Sequence, residues 1–141
     1  PGNGKLFMKK TAAFLSLLIL LMMLGGCRMI KIEEAERTPL KYTVADRSQI
    51  PEEAAKLIEE KKEKEFQMVY QKGEDLYLIK GYGRQMSGGY SIQVTDLSAS
   101  VNAVFFETKL IGPTEEVQGG EPSYPYIVVK TEYRDVPVQF R

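Results

Sequence analysis

The sequence predicts an α+β domain: one N-terminal helix packed on a mainly antiparallel β-sheet, with a sandwich or a partly closed barrel as the variant arrangement. Three observations lead there. A single helical period occupies residues 50–64. From Phe66 onward, apolar residues recur at every second position in about six runs, the signature of half-buried strands. Short segments of turn-forming residues separate those runs, and no internal repeat is present.

The elements follow in order. Residues 40–44 (LKYTV) form a short strand candidate. Ser48-Gln49-Ile50-Pro51-Glu52-Glu53 reads as a helix start, with proline in the first turn and acids near the positive end of the dipole. Ile50, Ala54, Leu57 and Ile58 then fall at i, i+4, i+7 and i+8, which gives one narrow apolar stripe. The opposite face, EEKKEKE, is a solvated charge run. Phe66, Met68 and Tyr70 alternate with polar neighbours, Gly73-Glu74-Asp75 turns the chain, and residues 76–82 return, so this pair forms a hairpin. Tyr90, Ile92 and Val94 begin the next strand, with a turn expected over residues 97–100. Residues 101–111 form a longer strand, whose Val104-Phe105-Phe106 run is apolar on both faces and belongs in a central position. Residues 112–123 (GPTEEVQGGEPS) read as a loop, and residues 124–130 as a strand. Residues 136–140 close the domain as an edge strand, because Pro137 cannot donate to a ladder.

The N-terminus gives the address. Lys9 and Lys10 precede an apolar run over residues 12–24, which ends in Leu24-Gly25-Gly26-Cys27. A positive start, a short apolar stretch and a small-residue cleavage site make an export signal. The run falls short of the roughly 20 residues that span a bilayer, so an uncleaved anchor is the weaker reading. The last four residues resemble a bacterial lipobox, in which the cysteine receives lipid and becomes the first residue of the mature chain. The expected organisation is a signal peptide with a short upstream extension over residues 1–26, a tether over 27–39, and a single domain over 40–141. The expected location is the cell membrane, lipid-anchored through Cys27 and facing the extracytoplasmic side. Two acyl chains on one cysteine would suffice for stable attachment.

Composition narrows the chemistry. Lys5, Lys9 and Lys10 stand before Cys27 with no acid among them, so the segment from Cys27 is acidic by three although the whole chain balances at 19 basic and 19 acidic residues. That charge gives no nucleic-acid footprint. Cys27 is the only cysteine and histidine is absent, so no disulfide framework, Ser-His-Asp triad, Cys-His pair or imidazole base is available. No cofactor and no metal site is expected. Lys80-Gly81-Tyr82-Gly83 starts like an RNA-recognition consensus, but Arg84 stands where an aromatic is needed. Gly81 and Gly83 also start like a dinucleotide fingerprint, and Met86 stands where the third glycine belongs. Glu115, Glu116 and Glu121 sit in a loop and read as solvated acids rather than as catalytic carboxyls.

Two stretches stand out as partner-binding candidates. Gly88-Gly89 allows positive φ or close backbone approach, and Tyr90 follows at once. This is either a turn with a core tyrosine or a recognition loop on a rigid sheet. Tyr124-Pro125-Tyr126 places two tyrosines on one face beside a proline, either as core filling or as an amphipathic anchor for a partner.

The run over residues 81–94 (GYGRQMSGGYSIQV), followed by residues 101–113 (VNAVFFETKLIGP) and 124–130 (YPYIVVK), resembles the PrcB-type protease-complex subunit family. The departures fall at Gln85-Met86-Ser87 and at Ser123. The resemblance implies a non-catalytic surface lipoprotein that supports an extracellular protease, so the expected partner is an exported protease or another surface protein. It supplies no catalytic residue. A protease inhibitor is the alternative, because Ser87-Gly88-Gly89-Tyr90 is similar to the glycine-containing loop of chagasin-type inhibitors. A carboxylate-based cell-wall enzyme ranks last, since no acid pair is placed by a regular element.

Overall fold

The computed structural model describes residues 36–114 and 120–141. Cys27, the predicted signal segment and most of the predicted tether lie outside them, as do Glu115 and Glu116. Among the described residues there are eight strands: β1 (Thr38–Pro39), β2 (Tyr42–Val44), β3 (Glu65–Lys72), β4 (Asp75–Tyr82), β5 (Ser91–Ala99), β6 (Val104–Ile111), β7 (Tyr126–Glu132) and β8 (Val138–Phe140). One α-helix, α1 (Glu52–Lys61), joins them. The strands form two four-stranded sheets, ordered β1-β5-β6-β8 and β2-β7-β4-β3.

This corrects the expected fold class. The protein is mostly β, built on two sheets with a single short helix outside, rather than α+β with a helix on one sheet. The reason is visible in β4 and β7. Leu76, Tyr77, Leu78 and Ile79 are all buried, as are Ile127, Val128 and Val129. A sheet whose central strands are apolar on both faces needs two covers. One cover is the other sheet: Leu76, Leu78, Ile127 and Val129 meet Leu97, Ala99, Val104 and Phe106 in one cluster. The other cover is α1, whose Ala54 and Ile58 pack on Tyr77, Ile79 and Val128, with Phe66, Met68, Tyr70 and Tyr126 around them. Of the predicted helical stripe, Leu57 is 37% exposed and stays outside that contact.

Local chemistry explains the boundaries. The predicted helix start resolves into a 3-10 turn, Arg47–Gln49, followed by α1. Asp46 accepts from the Ser48 N–H at 2.9 Å while Gln49 Oε1 accepts from the Asp46 N–H at 3.1 Å, a reciprocal cap. Pro51 is the α1 N-cap. The β3–β4 hairpin forms as expected, with Lys72 opposite Asp75. Of the two turn residues, Gly73 has positive φ (61°) and Glu74 does not, which fits a type II′ connection with glycine first. The turn expected over residues 97–100 lies later, because β5 carries a bulge between Val94 and Asp96. The bulge moves the inward face from Ile92 and Val94 to Leu97 and Ala99, so the alternation that marks the strand stops while the strand continues. β6 accordingly starts at Val104 and is central, flanked by β5 and β8. β8 is an edge strand, parallel to β6, and Pro137 contributes its carbonyl to the Val104 N–H at 2.9 Å.

Sheet pairing begins at Thr38, inside the stretch expected as tether, where Thr38 and Pro39 face Ala99 and Ser98. Arg37 binds Asp96 at 3.2 Å and stacks over the Phe105 ring at 4.9 Å, and the Arg141 guanidinium approaches the same ring at 4.8 Å. Phe105 points away from the inter-sheet core yet is fully buried, so these two cations help cover it.

On the helical side, Tyr70 donates to Glu53 Oε2 at 3.2 Å. Burial, and then this carboxylate, push the Tyr70 phenol above its ordinary value near 10. The fold therefore favours the neutral phenol. Its stabilising share is complete below the unfolded value and is lost as pH rises through the folded one. Tyr70→Phe is expected to flatten the alkaline fall in urea-unfolding stability above about pH 10, and an unchanged slope would count against it.

Candidate functional site

The chain crosses between the sheets twice at one end of the domain. Residues 83–90 carry it from β4 to β5, and residues 112–125 return it from β6 to β7. These two connections bring the candidates from the sequence together. Gln85 and Ser123 exchange backbone hydrogen bonds at 2.8 and 3.0 Å, and Ser123 Oγ donates to the Ser87 carbonyl at 2.6 Å. Arg84 N–H donates to the Glu63 carbonyl at 3.1 Å, which also ties the first connection to the end of α1.

Gly88 and Gly89 separate in role. Gly89 has φ of +86°, and a Cβ on it would lie 3.0 Å from Pro113 Cβ, so close approach to the β6 exit requires glycine there. Gly88 has open space around it. Tyr90 is half-buried, with its ring edge alongside Gly112. The residue at the loop tip is Met86, 79% exposed. From the sequence, Met86 counted against a dinucleotide site and as part of the Gln85-Met86-Ser87 departure, although an apolar side chain within a Gly- and Ser-rich loop was also a usable signal for a contact.

Tyr124, Pro125 and Tyr126 line a cleft of about 390 Å³ with Ala45, Arg47 and Ile50. Tyr126 joins the cluster under α1, and Pro125 accepts from the Tyr82 N–H at 3.0 Å. Tyr124 is half-buried, with Lys62 Nζ over its ring at 5.2 Å. Lys62 also pairs with Glu59 at 2.7 Å, and that hydrogen bond above all raises its ammonium above the ordinary lysine range. At the other wall the Asp46 carboxyl is held below its ordinary value, chiefly by the Ser48 hydroxyl. Arg47 makes no ion pair among the described residues. Arg47 and Lys62 had drawn no attention in the sequence, because nothing local marks either as facing this cleft.

The cleft exists because one strand stops. β2 pairs with β7 from Tyr42 opposite Thr131 to Val44 opposite Val129, and Ala45 N–H still donates to the Val128 carbonyl at 2.9 Å. Asp46 then caps the 3-10 turn and the chain leaves the sheet. β7 is left without a neighbour on that side beside Tyr126. Among the described residues there is no cluster of three or more acids, histidines or cysteines able to hold a metal ion.

Residues 76–132, running from β4 to the end of β7, match the family model described as PrcB C-terminal. Over this segment the chain is similar to PrcB C-terminal domains. The matched region includes both connections and the whole cleft wall from Tyr124 to Val128, while β1, β2, α1, β3 and β8 lie outside it. No curated protein and no solved structure matches the chain significantly. A PrcB C-terminal domain points to a protein associated with a protease complex.

Proposed function

We propose that this PrcB-type chain is a non-catalytic accessory lipoprotein, anchored outside the cytoplasm through lipid on Cys27, that binds and supports an exported protease. The observation that carries the reading is the family match over residues 76–132. The lipobox-like Leu24-Gly25-Gly26-Cys27 supports the anchor. The contact surface is the end of the domain where Met86, the Gly88-Gly89-Tyr90 loop and Tyr124-Pro125-Tyr126 lie on two connections stapled through Gln85 and Ser123. Loops that carry an exposed apolar side chain beside half-buried aromatic rings suit protein recognition.

The inhibitor alternative has less support. An inhibitory loop of the Ser-Gly-Gly-Tyr kind would present its aromatic residue at the tip, whereas Tyr90 turns against Gly112.

Tagged full-length chain, recovered in detergent from the membranes of its source cells, is expected to bring down an exported protease. A Met86→Asp, Tyr124→Ala double variant is expected to lose about tenfold or more of that protease. Recovery of no protease above background, or recovery that slows its turnover in an added-chain assay, contradicts the accessory reading.

A further inference from the structure

The geometry points to strand addition at the open side of β7: the cleft beside Tyr126 takes an extended segment of the partner, apolar at the residue opposite Tyr126 and acidic two residues further on. This rests on the binding role proposed above and specifies how the contact is made.

The backbone pattern carries the argument. In an antiparallel ladder, residues alternate between bonding one neighbour and bonding the other. The Tyr82 N–H to Pro125 carbonyl bond makes that pair a bonded one, so Pro125, Ile127 and Val129 turn their backbone groups to β4. Tyr126 and Val128 turn theirs to the β2 side. Val128 is met by Ala45. The next bonded pair in that register would join Tyr126 to Arg47, but Arg47 opens the 3-10 turn and is out of the ladder. Among the described residues, neither the Tyr126 N–H nor its carbonyl has a hydrogen-bond partner. A donor and an acceptor thus face a cleft of about 390 Å³ at the point where a sheet has room for another strand. Main-chain bonds to such an edge provide affinity, and alternate side chains provide selectivity.

The side-chain preferences follow from register. A segment antiparallel to β7, continuing the line of β2, places one residue opposite Tyr126. Its side chain falls on the α1 side of the sheet, toward Ala45 and Ile50, which is an apolar wall. The residue two further along lies opposite Tyr124, on the same face, beneath Lys62. The charges around that position are Asp46, Arg47, Glu59 and Lys62. Asp46 is occupied by Ser48 and Glu59 by Lys62, which leaves Arg47 as the cation without an ion pair among the described residues. An acid on the incoming segment complements it.

The test uses full-length chain in nonionic detergent and short fluorescent peptides. The probe is acetyl-Thr-Thr-Val-Thr-Glu-Thr-amide, with valine placed opposite Tyr126. It is compared with the same peptide carrying lysine for glutamate, N-methylated at valine, or N-methylated at the following threonine. Binding is expected with a slowed Tyr126 amide exchange. Affinity is expected to fall about tenfold or more for the lysine peptide and for N-methyl-valine, and to change less than about twofold for the N-methyl-threonine control, whose N–H points away from β7. Arg47→Glu is expected to reverse the glutamate–lysine preference. Three results would each overturn the proposal: equal binding by all four peptides, no binding at millimolar peptide, or a Tyr126 amide already protected in a peptide-free dimer. Capture of the protease together with any of these leaves the accessory reading standing and removes strand addition. Peptide binding without protease capture does the reverse.

Discussion

Phe106→Ala is expected to lower the free energy of unfolding by about 3–5 kcal/mol, because it removes a fully buried ring and leaves a cavity that its neighbours only partly fill. Phe106 is 1% exposed and sits between the sheets with Leu76, Leu78, Val104 and Val129. It also meets Phe140 edge-on, with ring centroids 5.7 Å apart at 75°. The same substitution therefore loosens β8, whose only partner strand among the described residues is β6. Urea denaturation followed by far-UV circular dichroism reads the effect as a lower midpoint. Val101→Ala, at a position 77% exposed in the neighbouring turn, is the control and is expected to stay within about 0.5 kcal/mol of the parent. A Phe106→Ala midpoint equal to that of Val101→Ala would show that the two sheets do not share this core.

The second large effect is Gly83→Ala, expected to cost about 2–4 kcal/mol. Gly83 has φ of +73°, which an L side chain adopts only with strain. Its added Cβ would also lie 2.9 Å from Glu65 N and 3.0 Å from the Lys64 carbonyl carbon. Those are backbone atoms at the start of β3, so no rotamer change relieves the contact. The strain falls where the chain leaves β4 for the 84–90 connection, and the neighbouring Arg84–Glu63 bond should weaken with it. Gly88→Ala offers the contrast, with open space and no positive φ, and should be close to neutral in a thermal melt. Equal melting temperatures for the two variants would remove the conformational argument.

Much of the domain was legible because its signals are local. The β3–β4 hairpin follows from alternation around Gly73, the centrality of β6 from Val104-Phe105-Phe106, and the edge position of β8 from Pro137. The second sheet entered only as the variant sandwich arrangement, because apolar residues on both faces of β4 and β7 demand covers without naming them. Half of that demand was met by α1 as expected, and the other half by β5 and β6 folding across. The β5 boundary failed for a different reason: a bulge changes the face without ending the strand, which breaks the period that sequence reading depends on. At the site, Tyr124-Pro125-Tyr126 and the Gly88-Gly89 loop were visible as unusual residue choices. That Gln85 pairs with Ser123, and that Arg47 and Lys62 flank the cleft, depends on contacts far apart in sequence. No local period announces such contacts.

The surface built from residues 83–90 and 120–128 is the proposed contact for the exported protease. Hydrogen–deuterium exchange of the full-length chain, alone and in complex with the captured protease, tests it most directly. Slowed exchange is expected at residues 84–90 and 123–127, with the Tyr126 amide among the most protected and α1 and β3 unchanged. Protection confined to the outer face of α1 or to the free edge of β3, with Tyr126 exchanging as fast as in the uncomplexed chain, would contradict it.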